Sequence, residues 1–155
     1  MSRLRLLGLV LPLLALGSAS ARAEPVWYGA QQGETVHLVL GEPATGKRVL
    51  DIACLPGSGT LTVRSLIGSN GLLPGEAAEV MLENNRARVA FPGKAVANEE
   101  SGGIDVEGHG PLAGLAAIVK TNRPFVMAVK GARFIMSQAG MAEPYAALLA
   151  ACGKS

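Results

Sequence analysis

From Glu24 to about Gly108 the chain is a series of short runs in which apolar and polar residues alternate. Val36, Leu38 and Leu40 form one run, followed by Leu50, Ile52 and Cys54, then Leu61, Val63 and Ile67. Ala78, Val80 and Leu82 continue the series, with Val89 and Phe91, then Ile104 and Val106. A two-residue period puts every second side chain on one face of an extended strand, so each run reads as a half-buried strand. The separators are turn formers: Gly41-Glu-Pro43, Pro56-Gly-Ser-Gly59, Gly68-Ser-Asn-Gly71, Pro74-Gly75, Asn84-Asn85 and Pro92-Gly93. Many short strands with frequent turns predict an antiparallel sandwich or small barrel. The stretch from Gly93 to Gly103, rich in small and polar residues, reads as a mobile loop.

The last third changes period. Pro111 can open a helix, after which Leu112, Leu115, Ala116 and Val119 fall on one face, and Asn122 and Pro124 stop it. Two apolar runs, Phe125 to Val129 and Phe134 to Met136, flank Gly131 as a hairpin. Pro144 then opens a second helix with the stripe Tyr145, Leu148, Leu149 and Cys152. The whole reads as α+β: a mainly antiparallel β body with a helix, a hairpin and a C-terminal helix packed on it.

That tail runs helix, short polar break, Phe125-Val-Met-Ala-Val129, Gly131, second strand, then a helix initiated at Gly140. It resembles the end of the invasion-associated locus B-type proteins, small exported proteins of Gram-negative bacteria. The resemblance covers about a quarter to a third of the chain beyond residue 23 and is one of element order, not of a motif. It implies an envelope or secreted role and assigns no site residue. The upstream half departs from the family, with one Cys where more are expected.

Residues 1–23 stand apart. Arg3 and Arg5 precede an apolar run from Leu6 to Leu16, and Ala21-Arg22-Ala23 fits the small-x-small rule for signal peptidase. That order reads as a secretory signal, which leaves residues 24–155 as a single β-rich exported domain, periplasmic or secreted. The apolar run is too short for a membrane span, which needs about 20 residues, so the processed chain is not expected to cross a membrane.

Setting that segment aside also changes the charge. The 155 residues carry 14 Lys+Arg and 12 Asp+Glu, but residues 1–23 hold three Arg and no acid. The remaining 132 residues have 11 basic and 12 acidic groups, a net charge of −1. Such a body has no general attraction for nucleic acid, and at 4% aromatics it has too few rings for a base-stacking platform. With 49% apolar and 17% charged residues and no heptads, coiled-coil and disordered readings also fail.

Cys54 shares a strand face with Leu50 and Ile52, and Cys152 lies on the apolar stripe of the last helix. Both point to the core in a chain bound for an oxidising compartment, which predicts a Cys54–Cys152 disulfide rather than a redox pair.

Other chemistry is sparse. Gly41-Glu-Pro-Ala-Thr-Gly46-Lys47 has the spacing of a phosphate loop, but Arg48 replaces the Ser or Thr and a strand follows, so it reads as a turn. Ser58 lacks the outer glycines of a nucleophile elbow, and His37 reads as a partly exposed strand residue. Met127, Met136 and Met141 read as core fillers. Trp27 and Tyr28 either anchor the first strand or offer an aromatic contact. In a strand from Ile104 to His109, the side chains of Asp105, Glu107 and His109 alternate onto one face. Two carboxylates and an imidazole there could hold a transition metal or a general base. The competing reading is the solvated face of an amphipathic strand that runs into a Gly108–Pro111 turn. No catalytic residue or cofactor is assigned. The leading expectation is a small binding protein with a protein or envelope partner. The alternatives are a periplasmic metal protein or enzyme using that face, and a secreted inhibitor of a hydrolase.

Overall fold

The structure, a computed structural model, describes residues 24–153; the predicted signal segment lies outside them. The described residues form nine strands and two helices. In chain order these are β1 (Val26–Gln32), β2 (Thr35–Glu42), β3 (Lys47–Cys54), β4 (Thr60–Ser65), β5 (Ala77–Glu83), β6 (Arg88–Ala97) and β7 (Ile104–Pro111). There follow α1 (Leu112–Val119), β8 (Phe125–Val129), β9 (Ala132–Met136) and α2 (Ala142–Cys152). The strands make one sheet in the order β1-β2-β3-β4-β7-β6-β5-β8-β9, and every pairing is antiparallel. Most neighbours are simple hairpins; β4–β7 and β5–β8 are the two pairings that bring distant segments together.

The alternating apolar residues share the concave face, as their period requires. Leu38, Leu50, Ile52, Leu61, Val63, Val80, Leu82, Phe91 and Val106 are all fully buried, together with Leu115 and Ile118 of α1 and Leu148 of α2. The sheet curls until Trp27 on β1 stacks on Phe125 on β8, ring centroids 6.2 Å apart. Among the described residues, however, β1 and β9 are not hydrogen-bonded to each other, so the sheet is not closed.

The predicted disulfide is present, with the Cα atoms of Cys54 and Cys152 6.0 Å apart. It ties the end of α2 to the end of β3. The same helix end is capped from the β3–β4 turn: the Gly57 and Gly59 N–H groups donate to the carbonyls of Ala151 and Cys152, taking up acceptors that a helix C-terminus leaves open. Along α2, burial pushes the Tyr145 phenol above its usual value of 10.0.

Two predicted loops are strand instead. Residues 93–97 continue β6 and pair with β7, and only 98–103 turn back. That turn is closed, with Asn98 Oδ1 accepting from the N–H groups of Glu100 and Ser101. Pro92 lies in the β5–β6 ladder opposite Glu79, but the odd-numbered residues of β6 bond toward β5, and on the other side the β6–β7 ladder begins only at Gly93, so its missing N–H costs no ladder bond. The expected Gly108–Pro111 turn is likewise the last part of β7, which passes straight into α1. Its glycines form a seat for Phe91: a Cβ on Gly110 would stand 2.8 Å from the Phe91 ring, and one on Gly108 would overlap the Phe91 carbonyl.

One core position is out of character. Ser65, opposite Leu50 and Val106, is fully buried, and its hydroxyl has no partner. An unsatisfied hydroxyl loses its water without recompense, so Ser65→Ala should raise stability by about 1 kcal/mol. A higher midpoint in urea with an unchanged slope would confirm it; a lower one would mean the hydroxyl has a partner in solution.

Candidate functional site

The convex face of β2, β3, β4 and β7 carries most of the polar chemistry. Asp105 is 1% exposed, not on a solvated face. Its Oδ2 accepts from Arg64 Nε at 3.2 Å, Arg64 NH2 at 3.0 Å and Asn98 Nδ2 at 2.9 Å. Strand register explains the capture: Arg64 pairs with Glu107, which puts Asp105 one step along the same face, while the 98–103 turn folds Asn98 over it. Glu107 is half-buried and His109 exposed; His109 Nε2 stands 3.9 Å from Glu107 Oε1, and its Nδ1 pairs with Thr62 Oγ1 at 3.2 Å. The three predicted residues therefore share a strand face but not an environment. Among the described residues no group of three His, Cys, Asp or Glu side chains is arranged to hold a metal ion.

A second acid on this face escaped the sequence reading. Asp51 is buried beneath His37, whose Nδ1–H donates to Oδ1 at 2.8 Å, and Arg48, whose NH1 donates to Oδ2 at 2.7 Å. His37 is a partly exposed strand residue as expected, but it is held by Asp51, and its Nε2 is buried without a partner. A bulge between Leu40 and Gly41 shifts the β2–β3 register, and no local signal announces it. Arg48 and Arg64 line one shallow depression of about 280 Å³ with Asn98, Glu99 and Glu100. Both guanidiniums are spent on the aspartates beneath them.

This pairing gives a stability prediction. Asp105→Ala strips Arg64 and Asn98 of a shared acceptor and should cost about 2–3 kcal/mol, moderated because the guanidinium can rehydrate. His109→Ala, on an exposed side chain, should stay within about 0.5 kcal/mol. Equal losses in urea unfolding would contradict this division.

The opposite feature lies where the sheet fails to close. The start of β1 and the end of β9 face each other across a cleft of about 490 Å³, lined mainly by Val26, Trp27, Leu40, Phe134, Ile135 and Met136, with Glu24 the one charged residue. Trp27 crosses it, donating from Nε1 to the Ser137 carbonyl at 2.7 Å, so a side chain spans the gap where main-chain ladders would otherwise run. Trp27 is 7% exposed and part of the core, so it anchors β1, the first of the two roles the sequence offered, while one edge walls the cleft. Val26 and Ile135 stand on the outer rim, 49% and 75% exposed. β1 carries no charged residue and β9 only Arg133, which is tied to Glu83. No described helix is long and apolar enough to cross a membrane.

Comparison of the chain with protein-family profiles, with curated proteins and with solved structures finds no match.

Proposed function

We propose that this chain is an exported, disulfide-stapled binding domain that engages a protein partner in the envelope or outside the cell. Its curled sheet acts as an incomplete small barrel whose seam is the contact surface. The observation that carries this reading is the contrast between the two faces just described. On the convex face the buried acids are consumed by internal pairs. At the seam, unpaired strand edges lie beside exposed Val26 and Ile135. Long edge strands that lack charges are usually covered, because they invite pairing with another chain. The disulfide supports the export part of the reading, since it suits an oxidising compartment.

The test is a photo-reactive residue at Ile135 in the full chain, expressed in a Gram-negative cell, with Asn85 at a distant turn as the control site. One recurrent protein adduct from position 135, absent from position 85, is expected, on a bait whose mass begins at Glu24. Adduct identity then separates envelope assembly from inhibition of a hydrolase. A bait that remains uncrosslinked from several surface positions but carries stoichiometric metal would sink the reading.

A further inference from the structure

The topology says more about what the seam takes. Each of the eight pairings in the described sheet is antiparallel, and each reverses the chain direction. First and last strands of a nine-stranded antiparallel sheet must therefore run the same way. β1 and β9 cannot complete the alternation by meeting each other; one additional strand, antiparallel to both, would complete it. They are also staggered, since the cleft joins the start of β1 to the end of β9. An inserted segment would pair first along β1 and then along β9. With 7 residues in β1 and 5 in β9, it would be about twelve residues long.

Charge marks the entry end of such a segment. Between Glu24 and Gly46 there is no Lys or Arg, so the β1–β2 hairpin bears only Glu24, Glu34 and Glu42. Between Gly108 and Ala142 there is no acid, and Lys120, Arg123, Lys130 and Arg133 flank or sit on the β8–β9 hairpin. A segment antiparallel to β1 enters beside Gln32 and Glu34 and leaves beside Arg133 and Lys130. Its N-terminal end thus meets the Glu34 carboxylate, while at its C-terminal end the Arg133 guanidinium is already held by Glu83 and the Lys130 ammonium by the Gly71 carbonyl. At the centre, Trp27, Phe134 and Met136 face inward while Val26 and Ile135 face outward, so the middle of the segment would be mainly apolar on both sides, with Glu24 beside it.

Resting on the binding reading above, we propose that the partner enters the seam as a tenth strand. The occupant is an extended segment of another polypeptide, basic toward its N-terminal end and apolar through its centre, running antiparallel to β1 and β9. Main-chain hydrogen bonds supply affinity and the apolar centre supplies register, as in strand addition generally. A second copy of this chain fits less well. Its own β1 would bring Glu24 and Glu34 of one copy against those of the other.

The experiment is to pan a displayed library of random peptides, each about twelve residues long, against the processed protein, then to measure the enriched peptides in solution. Trp27 is the only tryptophan, so its emission reports occupancy of the seam. Enriched sequences should share a basic N-terminal end ahead of an apolar centre, change Trp27 emission saturably, and protect amides of β1 and β9 from exchange. Val26→Lys and Ile135→Lys alter exposed side chains without touching the core and should each weaken binding about tenfold or more. Enrichment without that order, or binding indifferent to both lysines, overturns the proposal. So does the absence of any enriched binder. Concentration-dependent self-association dispersed by Ile135→Lys would overturn it in favour of a second copy. A partner crosslinked only at sites away from the seam would sink the strand and leave the binding reading standing.

Discussion

Replacing Gly108 with alanine is expected to destabilise the protein by about 3 kcal/mol or more, a larger effect than truncating most of its surface side chains. The reason is the close crossing of β6 and β7. A Cβ at Gly108 would overlap the Phe91 main-chain carbonyl and stand 2.7 Å from its carbon, and Gly93 is pressed in the same way against the backbone of Glu107 and Gly108. A backbone cannot swing aside as a side-chain tip can, so the strands must separate at the centre of the sheet. Gly110 provides the internal comparison. Its added Cβ would meet the Phe91 ring, 2.8 Å away, and a smaller residue at 91 removes that obstacle. In a double-mutant cycle Phe91→Leu should therefore recover part of the loss from Gly110→Ala and little of the loss from Gly108→Ala. Gly103→Ala, with only the Ser101 hydroxyl 3.2 Å away, is the mild control. Equal urea midpoints for the Gly108 and Gly103 variants would show that β6 and β7 do not cross so tightly in solution.

The second large effect is expected on opening the disulfide. Its cysteines are 98 positions apart, and closing a loop of that size restricts the unfolded chain by an amount worth about 4–5 kcal/mol in the chain-entropy account. Measured losses usually fall at or below that figure, so about 3–4 kcal/mol is expected for Cys54→Ser with Cys152→Ser. The location of the loss is as informative as its size. The N–H groups of Gly57 and Gly59 still hold the last carbonyls of α2, while Leu148 and Met141 keep the helix on the core. Hydrogen exchange should show α2 opening first, with β3 and β4 retained until global unfolding. Simultaneous loss of β3 protection at low denaturant would mean that the helix and the first four strands are one cooperative unit.

Much of this architecture is legible in the chain. Period-2 runs located β2 to β5 and the first parts of β6 and β7, Gly131 the last hairpin, and the facing of Cys54 and Cys152 their bond, because those features depend on neighbours within a few residues or on burial alone. The errors have one physical cause. Glycine and proline are turn formers in isolation, yet at Pro92-Gly93 and Gly108–Pro111 they serve close packing between strands, which depends on a partner elsewhere in the sequence. Asp105 was misplaced for the same reason: alternation assigned its face correctly, but whether that face is wet depends on Arg64 and Asn98. Most of the seam was unreadable. Trp27 stood out, but Ile135 is unremarkable in a five-residue run, and the shared direction of β1 and β9 follows only once the number of strands and the antiparallel sense of every pairing are known.

The separation between Cys54 and Cys152 also sets an order of events. A chain that emerges from its N-terminal end presents Cys54 with the first strands and must then release another 98 residues before the second sulfur appears. The β1–β4 hairpins can assemble early, but the covalent lock cannot be set until most of the sheet has emerged. With two cysteines there is one possible intramolecular pairing, so no incorrect intramolecular bond has to be undone. The hazard during that interval is a bond between two molecules through Cys54, and it ends when residue 152 arrives.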